Sequence, residues 1–493
     1  MSGSVQPLPA GSVIIGLMNG PTDGFADGFA AVVTTGIYCR PGCGARPSPQ
    51  HVRRFPLAAS AEAAGYRACL RCRPYRNEPQ VGWCGPELVC RAVRLILDGA
   101  LDGAGEQDLA ARLFVSARHL RRLFHQHLGV TPDQLARSSR THFARRLLDD
   151  TDLSITDIAF AVGFGSVRQL NRACRQVFRI TPSELRAGRR VTDRLVADGG
   201  LTLRLPFQPP LDWDAMLGFF KARAIGGVES VSDGTYRRTI AVDGDPGVLE
   251  LALGGPRHLL LRAHLPHWES LIHLARRARR IFNLDADVAG ATQHLQEDPL
   301  VGPLARSRPG IRPPGTWDPF ETGVRAIAAQ HQSERASVAG ANAIVVRIAE
   351  HYGRPISGLG SLGLTHLFPE PAALITADLT GVGLGSACAA AVSAFARAVA
   401  VGDLLLDQAS SLDGLIASLT AISGLAPSAA HYLALRIGEP DAFPAADPGL
   451  RQSLSQASLV TEITEGQAAP VAERWRPWRA HAAAYLWLGD APQ

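Results

Sequence analysis

Two stretches decide the reading: EQDLAARLFVSARHLRRLFHQHLG (residues 106–129) and SITDIAFAVGFGSVRQLNRACRQVF (residues 154–178). In the first, Leu109 and Leu113 share one face of a short helix, and Ser116 stands where an N-cap would open the next. In that next helix the spacing turns Leu120, Leu123 and Phe124 inward and leaves Arg118, Arg121 and Arg122 to face a groove. The second stretch repeats the plan. Ile155, Ile158, Ala159 and Val162 pack a first helix, and Gly163 and Gly165 allow a tight turn. Leu170, Cys174 and Phe178 anchor a second helix, leaving Arg168, Gln169, Asn171 and Arg172 free. A basic, amide-bearing face suits base edges in a major groove. One such unit could be any helical hairpin. Two of them, joined by the helical TPDQLARSSRTHFARRLL (131–148), form a stronger signal, and ELVCRAVRLIL (87–97) reads as a packing helix ahead of both.

Outward from this pair, 493 residues with 46% hydrophobic content allow about three or four cored domains. No apolar run approaches the roughly 18 residues of a membrane span. The opening MSGSVQPLPAGSVIIGLMNG (1–20) has no basic region before its apolar patch, so the expectation is a cytoplasmic chain without a membrane partner. The net charge of +5 is uneven. Residues 1–200 hold 26 basic and 17 acidic side chains, the remainder 24 and 28. The front half is the better candidate for polyanion contact, although so modest an excess also serves solubility. Lys221 is the single lysine, so chemistry that needs an amine side chain has one possible source.

Cysteines stand at 39, 43, 69, 72, 84, 90, 174 and 388, and six crowd into residues 39–90. Without a secretion signal, that clustering favours a metal over disulfides. Cys39-x3-Cys43 and Cys69-x2-Cys72 can place four thiolates around one ion, and zinc suits soft donors in tetrahedral array. Spacing alone leaves a purely structural zinc ribbon open. Cys84 and Cys90 fall outside the pattern and read as structural.

Behind the helical pair the texture changes. LTLRLPF (201–207) alternates as a strand does, and a β-rich stretch runs to about Leu265 before helices take over. That order predicts an α+β lobe ahead of an all-α lobe. LTAISGLAPSAAHYLAL (419–435) sets two apolar helical stretches around a glycine turn, a hairpin able to aim backbone N–H groups at a phosphate. Asp447 follows in DAFPAADPGLRQ (441–452); by itself an Asp before Pro is a turn former.

Several of these words resemble known families. TTGIYCRPGC (34–43) and AAGYRACLRC (63–72) resemble the N-terminal domain of the Ada family. The resemblance implies that Cys39 is both a zinc ligand and the nucleophile that takes a methyl group from a DNA methylphosphotriester. It also implies that Thr35, Arg46 and Arg67 lie near DNA; Gly44 departs from the family, which often has Arg there. GFGSVRQLNRACRQVFRITPSELR (163–186) is similar to the signature of AraC-type DNA-binding domains. That implies two recognition helices in successive major grooves and, for an activator, RNA polymerase as a partner. PPLDWDAMLGFFKARAIGGVE (209–229), RPGIRPPGTWDPFETGVRAI (308–327) and AERWRPWRAHAAAYLW (472–487) resemble the AlkA family of 3-methyladenine DNA glycosylases. This implies an α/β lobe and a helix-hairpin-helix core. Asp447 takes the catalytic position, Tyr432 and Trp487 line the base pocket, and Gly424 in the hairpin touches DNA.

The sequence departs from that family at several points. The hairpin reads Gly424-Leu425-Ala426 where G-x-G is usual. Ser428 stands where lyase relatives carry an amine and AlkA-like enzymes a Trp. HQSERASVAG (331–340) looks longer than its counterpart and puts Glu334 and Arg335 where a DNA wedge is expected. No Pro-Cys-His-Arg site for O6-methylguanine repair occurs, and Cys388 in GLGSACAAAV (383–392) has no neighbouring His.

The expected architecture is multidomain, mainly α with α+β parts. It comprises a small zinc domain (1–79), an all-α double helix-turn-helix (80–195), an α+β lobe (200–300) and an all-α helix-hairpin-helix glycosylase core (301–493), with a linker over 187–199. The expected function joins a methylation-activated regulator to a monofunctional glycosylase acting on alkylated double-stranded DNA, with Zn2+ as cofactor. The departures keep a second reading open, a regulator whose glycosylase-like half is inactive.

Overall fold

The computed structural model describes residues 28–41, 43–45, 47–76, 86–190, 193–195, 200–330, 338–407, 409–422, 424–458 and 462–489. The expectations for Arg46, Cys84, Glu334 and Arg335 fall outside these residues.

The chain enters through a four-stranded sheet of order β3-β1-β2-β4, formed by β1 (Phe29–Val32), β2 (Ile37–Cys39), β3 (Val52–Phe55) and β4 (Arg67–Ala68). Gly36, at φ +64°, supplies the left-handed residue that turns β1 into β2. The parallel pairing of β2 with β4 sets Tyr38 opposite Ala68, so the cysteines that follow each strand emerge side by side. Helix α1 (Ala58–Ala63) covers the sheet, and the core is thin, centred on Phe29 packed edge-on against Tyr38.

Seven helices follow: α2 (Glu87–Leu97), α3 (Glu106–Arg112), α4 (Ala117–Leu128), α5 (Pro132–Asp150), α6 (Ile155–Ala161), α7 (Val167–Phe178) and α8 (Pro182–Ala187). Five open on a Ser or Thr whose hydroxyl accepts an N–H of the first turn: Ser116, Thr131, Ser154, Ser166 and Thr181. Each such cap contributes about 1 kcal/mol, which suits helices too short to persist alone. Leu120, Phe124, Leu170, Cys174 and Phe178 are buried as their spacing predicts, and Leu123 is half-buried. Of the two expected turn glycines only Gly163 (φ +82°) takes the left-handed conformation; Gly165 does not.

Next comes a five-stranded antiparallel sheet of order β5-β9-β8-β7-β6: β5 (Leu201–Pro206), β6 (Glu229–Ser232), β7 (Thr235–Val242), β8 (Asp245–Gly255) and β9 (His258–His264). Helix α9 (Trp213–Arg223) lies between β5 and β6 in the chain and packs Phe220 against Tyr236 of β7. From there the chain is helical: α10 (Leu271–Ile281), α11 (Val288–Leu295), α12 (Gly302–Ser307), α13 (Pro319–Gln330), α14 (Val338–Tyr352), α15 (Pro371–Leu374), α16 (Ser386–Ala400), α17 (Leu412–Thr420), α18 (Pro427–Ile437), α19 (Pro448–Ser458), α20 (Glu465–Ala472) and α21 (Arg479–Leu488). A short ribbon, β10 (Arg354–Pro355) with β11 (His366–Leu367), interrupts them. Buried Arg238 of β7 binds Glu321 of α13 at 2.7 Å and Glu229 of β6 at 3.3 Å, fastening sheet to helices. Glu321 is pushed up to about 7 by burial, against the pull of Arg238.

The parts are joined by polar seams, some of them buried. Glu62 of α1 accepts from Tyr38 at 2.6 Å and meets His142 of α5 at 2.6 Å. Asp102 bonds both Arg140 of α5 and His273 of α10. Arg112 of α3 reaches Asp407 at 2.5 Å, and Arg91 of α2 donates to the Ala409 carbonyl at 3.0 Å. The expected linker is likewise not a free tether, since α8 occupies its start and Asp193 is buried against Arg73 at 2.5 Å. Among the described residues no helix is long and apolar enough to cross a membrane.

Candidate metal centre, DNA-reading faces and catalytic pocket

The end of β2 delivers Cys39, and a tight turn in which the Cys43 N–H donates to the Arg40 carbonyl at 3.3 Å brings Cys43 back beside it. Cys69 follows β4, its N–H bonded to the Tyr38 carbonyl at 3.0 Å. Cys72 is returned by a loop closed through the Arg73 N–H on the Cys69 carbonyl at 3.0 Å, with Arg73 in the left-handed region at φ +51°. All four sulfurs lie within 4.8 Å of one another. Their proton chemistry shows the crowding. The contact with Cys39 draws Cys72 down to about 5, while contact with Cys72 and burial push Cys39 up. Packed this closely, the sulfurs cannot all lose protons unaided; a divalent ion among them satisfies every thiolate. The donor set and spacing fit zinc. Thr35 is exposed in the β1–β2 turn, and Arg67 on β4 pairs with Ile37 two residues before Cys39. The two thus sit toward the start of β2 and β4, and the cysteines follow at the ends of those strands.

On α4, Arg118, Arg121 and Arg122 are exposed as expected. Arg121 is tied to Glu106 at 2.5 Å, and Arg122 meets His119 at 3.1 Å. On α7, Arg168, Gln169 and Arg172 are exposed. The Gln169 side chain accepts the Gly165 N–H at 3.0 Å, and half-buried Asn171 donates to the Val167 carbonyl at 3.0 Å. Arg118, Arg168 and Arg172 make no side-chain hydrogen bond among the described residues, which leaves them the open donors of the two faces.

The third constellation is assembled across the chain. Helix α17, the turn at Gly424 (φ +92°) and α18 form the expected hairpin. Beyond it the chain reaches half-buried Asp447, the residue before α19. Asp447 Oδ1 accepts the Leu450 N–H at 2.9 Å and the indole N–H of Trp487, from α21, also at 2.9 Å. Among the described residues both donors use Oδ1, which leaves Oδ2 available. A Cβ at Gly449 would stand 3.2 Å from Oδ1 and 3.6 Å from the Trp487 ring, so glycine keeps this contact uncrowded. Ser428 Oγ accepts the Ala446 N–H at 3.1 Å and steadies the loop before the acid.

Tyr432 of α18 lies edge-on to Trp487, ring centres 6.0 Å apart, so the structure brings together the acid and both predicted aromatics. The sequence reading missed what the first lobe adds. Phe219 of α9 packs on Trp487 at 5.9 Å, and Arg223, one turn on, lies 3.9 Å over the Phe219 ring. Burial lowers the Arg223 guanidinium, opposed by the charges of Tyr432 and Asp447. Arg436 donates to the Tyr432 hydroxyl at 2.7 Å and to the Gly315 carbonyl. Burial works to raise the Tyr432 phenol, but Arg436, with Arg223 and Arg325 behind it, outweighs that and lowers it. A period-four spacing of Phe219 and Arg223 was the available signal, yet an aromatic and a cation on one helix face read as ordinary packing until a partner surface is known. Lys221 falls between them, about 200° round the helix from each, and is exposed.

The metal binding domain of Ada matches residues 21–75, a helix-turn-helix domain residues 109–188, and the AlkA N-terminal domain residues 202–318. The class is thus a fusion of a four-cysteine zinc domain, a DNA-binding double helix-turn-helix and a glycosylase-like half. Over 465 residues the chain is 37% identical to a probable bifunctional transcriptional activator/DNA repair enzyme AlkA of Mycobacterium tuberculosis, covering 93% of this chain and 92% of that one. It belongs to that family of bifunctional transcriptional activator/DNA repair proteins. DNA-3-methyladenine glycosylase 2 of Escherichia coli is 32% identical over 299 residues, 59% of this chain and 98% of its own. The 3-methyladenine DNA-glycosylase of Archaeoglobus fulgidus shares the fold of the second half, with a TM-score of 0.50 at 19% identity over 58% of this chain and 97% of that one.

Proposed function

We propose that the chain both senses and repairs DNA alkylation: Cys39 accepts a methyl group from methylphosphotriesters, and Asp447 serves hydrolysis of the N-glycosidic bond of alkylated purines such as 3-methyladenine. The observation that carries the reading is Asp447 held by Trp487 beside Tyr432, Phe219 and Arg223, at the exit of a helix-hairpin-helix.

In the first reaction the Cys39 sulfur attacks the methyl carbon. The carbon–oxygen bond breaks, its electron pair returns to the phosphate as a diester anion, and Cys39 becomes a thioether. Zinc on Cys39, Cys43, Cys69 and Cys72 supplies a charge that keeps the sulfurs deprotonated. Methylation removes one negative charge from the surface that also carries Thr35 and Arg67, so repulsion from DNA phosphate falls. The α4 and α7 faces then read promoter DNA through Arg118, Arg121, Arg122, Arg168, Gln169, Asn171 and Arg172, and the DNA-bound protein recruits RNA polymerase.

In the second reaction the damaged nucleotide leaves the duplex and its base enters between Tyr432 and Trp487, aromatic faces that suit an electron-poor ring. As the glycosidic bond lengthens, the sugar gains oxocarbenium character. Asp447 Oδ2 faces that charge and orients the water that adds to the anomeric carbon; the water's proton passes to the carboxylate or to solvent, and the base leaves with the bond's electrons. With Ser428 at the position of an amine and Lys221 turned away from the pocket, no Schiff base forms and the strand stays intact.

The test is release of free 3-methyladenine from methylated duplex by the purified protein and by Asp447→Asn. Release by the first and not the second supports the reading. No release by the wild type would leave a regulator with an inactive second half.

A further inference from the structure

Among the described residues, the hairpin turn between α17 and α18 carries the backbone bond of the Leu425 N–H on the Ile422 carbonyl, at 3.2 Å, and Leu425 is buried beneath it. Ala426, the N-cap of α18, has no side chain able to cap. The remaining support comes from another helix. Gln330, the last residue of α13, spans the turn with its carboxamide: Nε2 donates to the Gly424 carbonyl, and Oε1 accepts the Ala426 N–H at 2.9 Å. A carboxamide serves a carbonyl and an N–H at once through two separate atoms, its N–H group donating and its oxygen accepting.

We propose that Gln330 is the positioning residue of the hairpin, a clamp that fixes the turn for phosphate without touching DNA. The inference rests on reading α17–α18 as the phosphate-binding element. Its consequence is specific. Gln330 occupies the Ala426 N–H, and Pro427 has none, so a phosphate is taken by the Ser428 and Ala429 N–H groups, which a helix leaves without internal partners. The alanine at 426, which departs from G-x-G, is then tolerated because the N–H beneath its Cβ faces Gln330 and not the phosphate. The clamp also ties the turn to α13, whose buried Phe320, Val324 and Ile327 belong to the same core as the pocket helices.

The test uses the full chain and three proteins: wild type, Gln330→Met, which keeps length and loses both bonds, and Gln330→Glu, which keeps the acceptor for Ala426 but opposes an oxygen to the Gly424 carbonyl. Hydrogen exchange of peptides spanning 421–430 reports the turn directly. Binding is read as the affinity ratio between a duplex with a tetrahydrofuran abasic analogue and the same duplex undamaged, which cancels the contribution of the front half. For Gln330→Met we expect faster exchange, a fall of about tenfold in that ratio, and single-turnover excision at saturating protein within about threefold of wild type. Gln330→Glu should exchange more slowly than Gln330→Met yet lose more of the ratio, because its charge faces phosphate. Unchanged exchange and unchanged ratio in Gln330→Met would overturn the proposal, as would a loss of rate at saturation with the ratio intact. If Gln330→Met does not fold, exchange in Gln330→Glu decides alone: it loses the bond to the Gly424 carbonyl, and exchange over 421–430 as slow as in wild type counts against the clamp. A wild type that excises nothing still gives both readouts. A wild type with no preference for the abasic analogue removes the phosphate-binding reading, while exchange continues to report whether Gln330 holds the turn.

Discussion

Replacing Asp447 with Asn separates charge from structure at this site. Asn offers the same oxygen to the Leu450 N–H and to the Trp487 indole, the two bonds that fix the side chain at 2.9 Å each. Asn is also as good an N-cap as Asp, so α19 keeps its first turn and the melting temperature should not move. What disappears is the negative charge opposite the developing oxocarbenium ion. For unit charges about 4 Å apart at an effective dielectric near 20, that attraction is about 4 kcal/mol. It corresponds to roughly a thousandfold in the chemical step. The half-buried setting of Asp447 supports a dielectric between water and the deep interior. The assay is single-turnover release of 3-methyladenine from a methylated duplex at saturating protein, with thermal denaturation in parallel. Asp447→Ala provides the contrast: it loses the charge, the cap and the indole's acceptor, so it should fall as far in rate and also lose about 1 kcal/mol of stability. An Asp447→Asn rate within about threefold of wild type would refute the electrostatic role.

Other expectations follow from the same structure. Borohydride added during turnover should trap no covalent protein–DNA adduct, because Lys221 is exposed on the far side of α9 from Phe219 and Arg223; an adduct would show that some amine reaches the sugar. Cys43→Ser should lower zinc content and melt the 28–76 region, and Cys39→Ser should in addition abolish protein methylation by methylphosphotriester DNA; full zinc in either variant would break the four-ligand assignment. His481 of α21 is buried, and among the described residues neither ring nitrogen has a hydrogen-bond partner; burial, helped by Arg312, lowers it to about 3. Since the unfolded chain takes that proton near 6.5, stability is fully present above 6.5 and is lost by about 1.4 kcal/mol per pH unit as pH falls towards 3. Denaturant titrations should show His481→Phe less sensitive over that window, and an equal slope in both proteins would mean that His481 is protonated when folded.

The elements that the sequence announced most clearly are those with strict local rules. The helix-turn-helix pair combined a 3.6-residue apolar period with a hydroxyl cap at Ser116, which formed, and the structure adds matching caps at Ser154 and Ser166. The four metal cysteines were legible because two short loops can each return a sulfur to one point, and they do. The candidate pocket was half legible. Asp447, Tyr432 and Trp487 converge as expected, whereas Phe219 and Arg223 come from a helix about 200 residues away in the chain, and no local period encodes such an encounter. Gln330 was invisible for the same reason: an amide at a helix end has many uses, and only the approach of the Gly424 turn selects one. Asp193, within the expected linker over 187–199, is a different case. An Arg-, Gly- and Asp-rich run signals exposure on average, yet Asp193 is buried because Arg73 and Arg76 are already there to meet it.

That last contact bears on why the two halves share a chain. Arg73 is the residue after the metal ligand Cys72, and its guanidinium lies between Asp193, at 2.5 Å, and Asp149 at the end of α5, at 3.6 Å. Arg76 adds Asp149, Asp150 and Asp193, while Arg204 of β5 closes the set on Asp150 at 2.8 Å. Burial raises Asp150, and Arg204 and Arg76 oppose that rise, so its carboxylate depends on the arginines staying in place. Breaking such a set by moving one member leaves an uncompensated buried charge at a cost of about 3–5 kcal/mol. Cys72, the long helix between the two reading helices, and the first strand of the repair half are therefore held to one another by groups that cannot be displaced singly. A change at the metal centre that shifts the Cys72–Arg73 backbone must either be absorbed within that loop or move all three parts together, and the left-handed φ of Arg73 leaves the loop little freedom to absorb it.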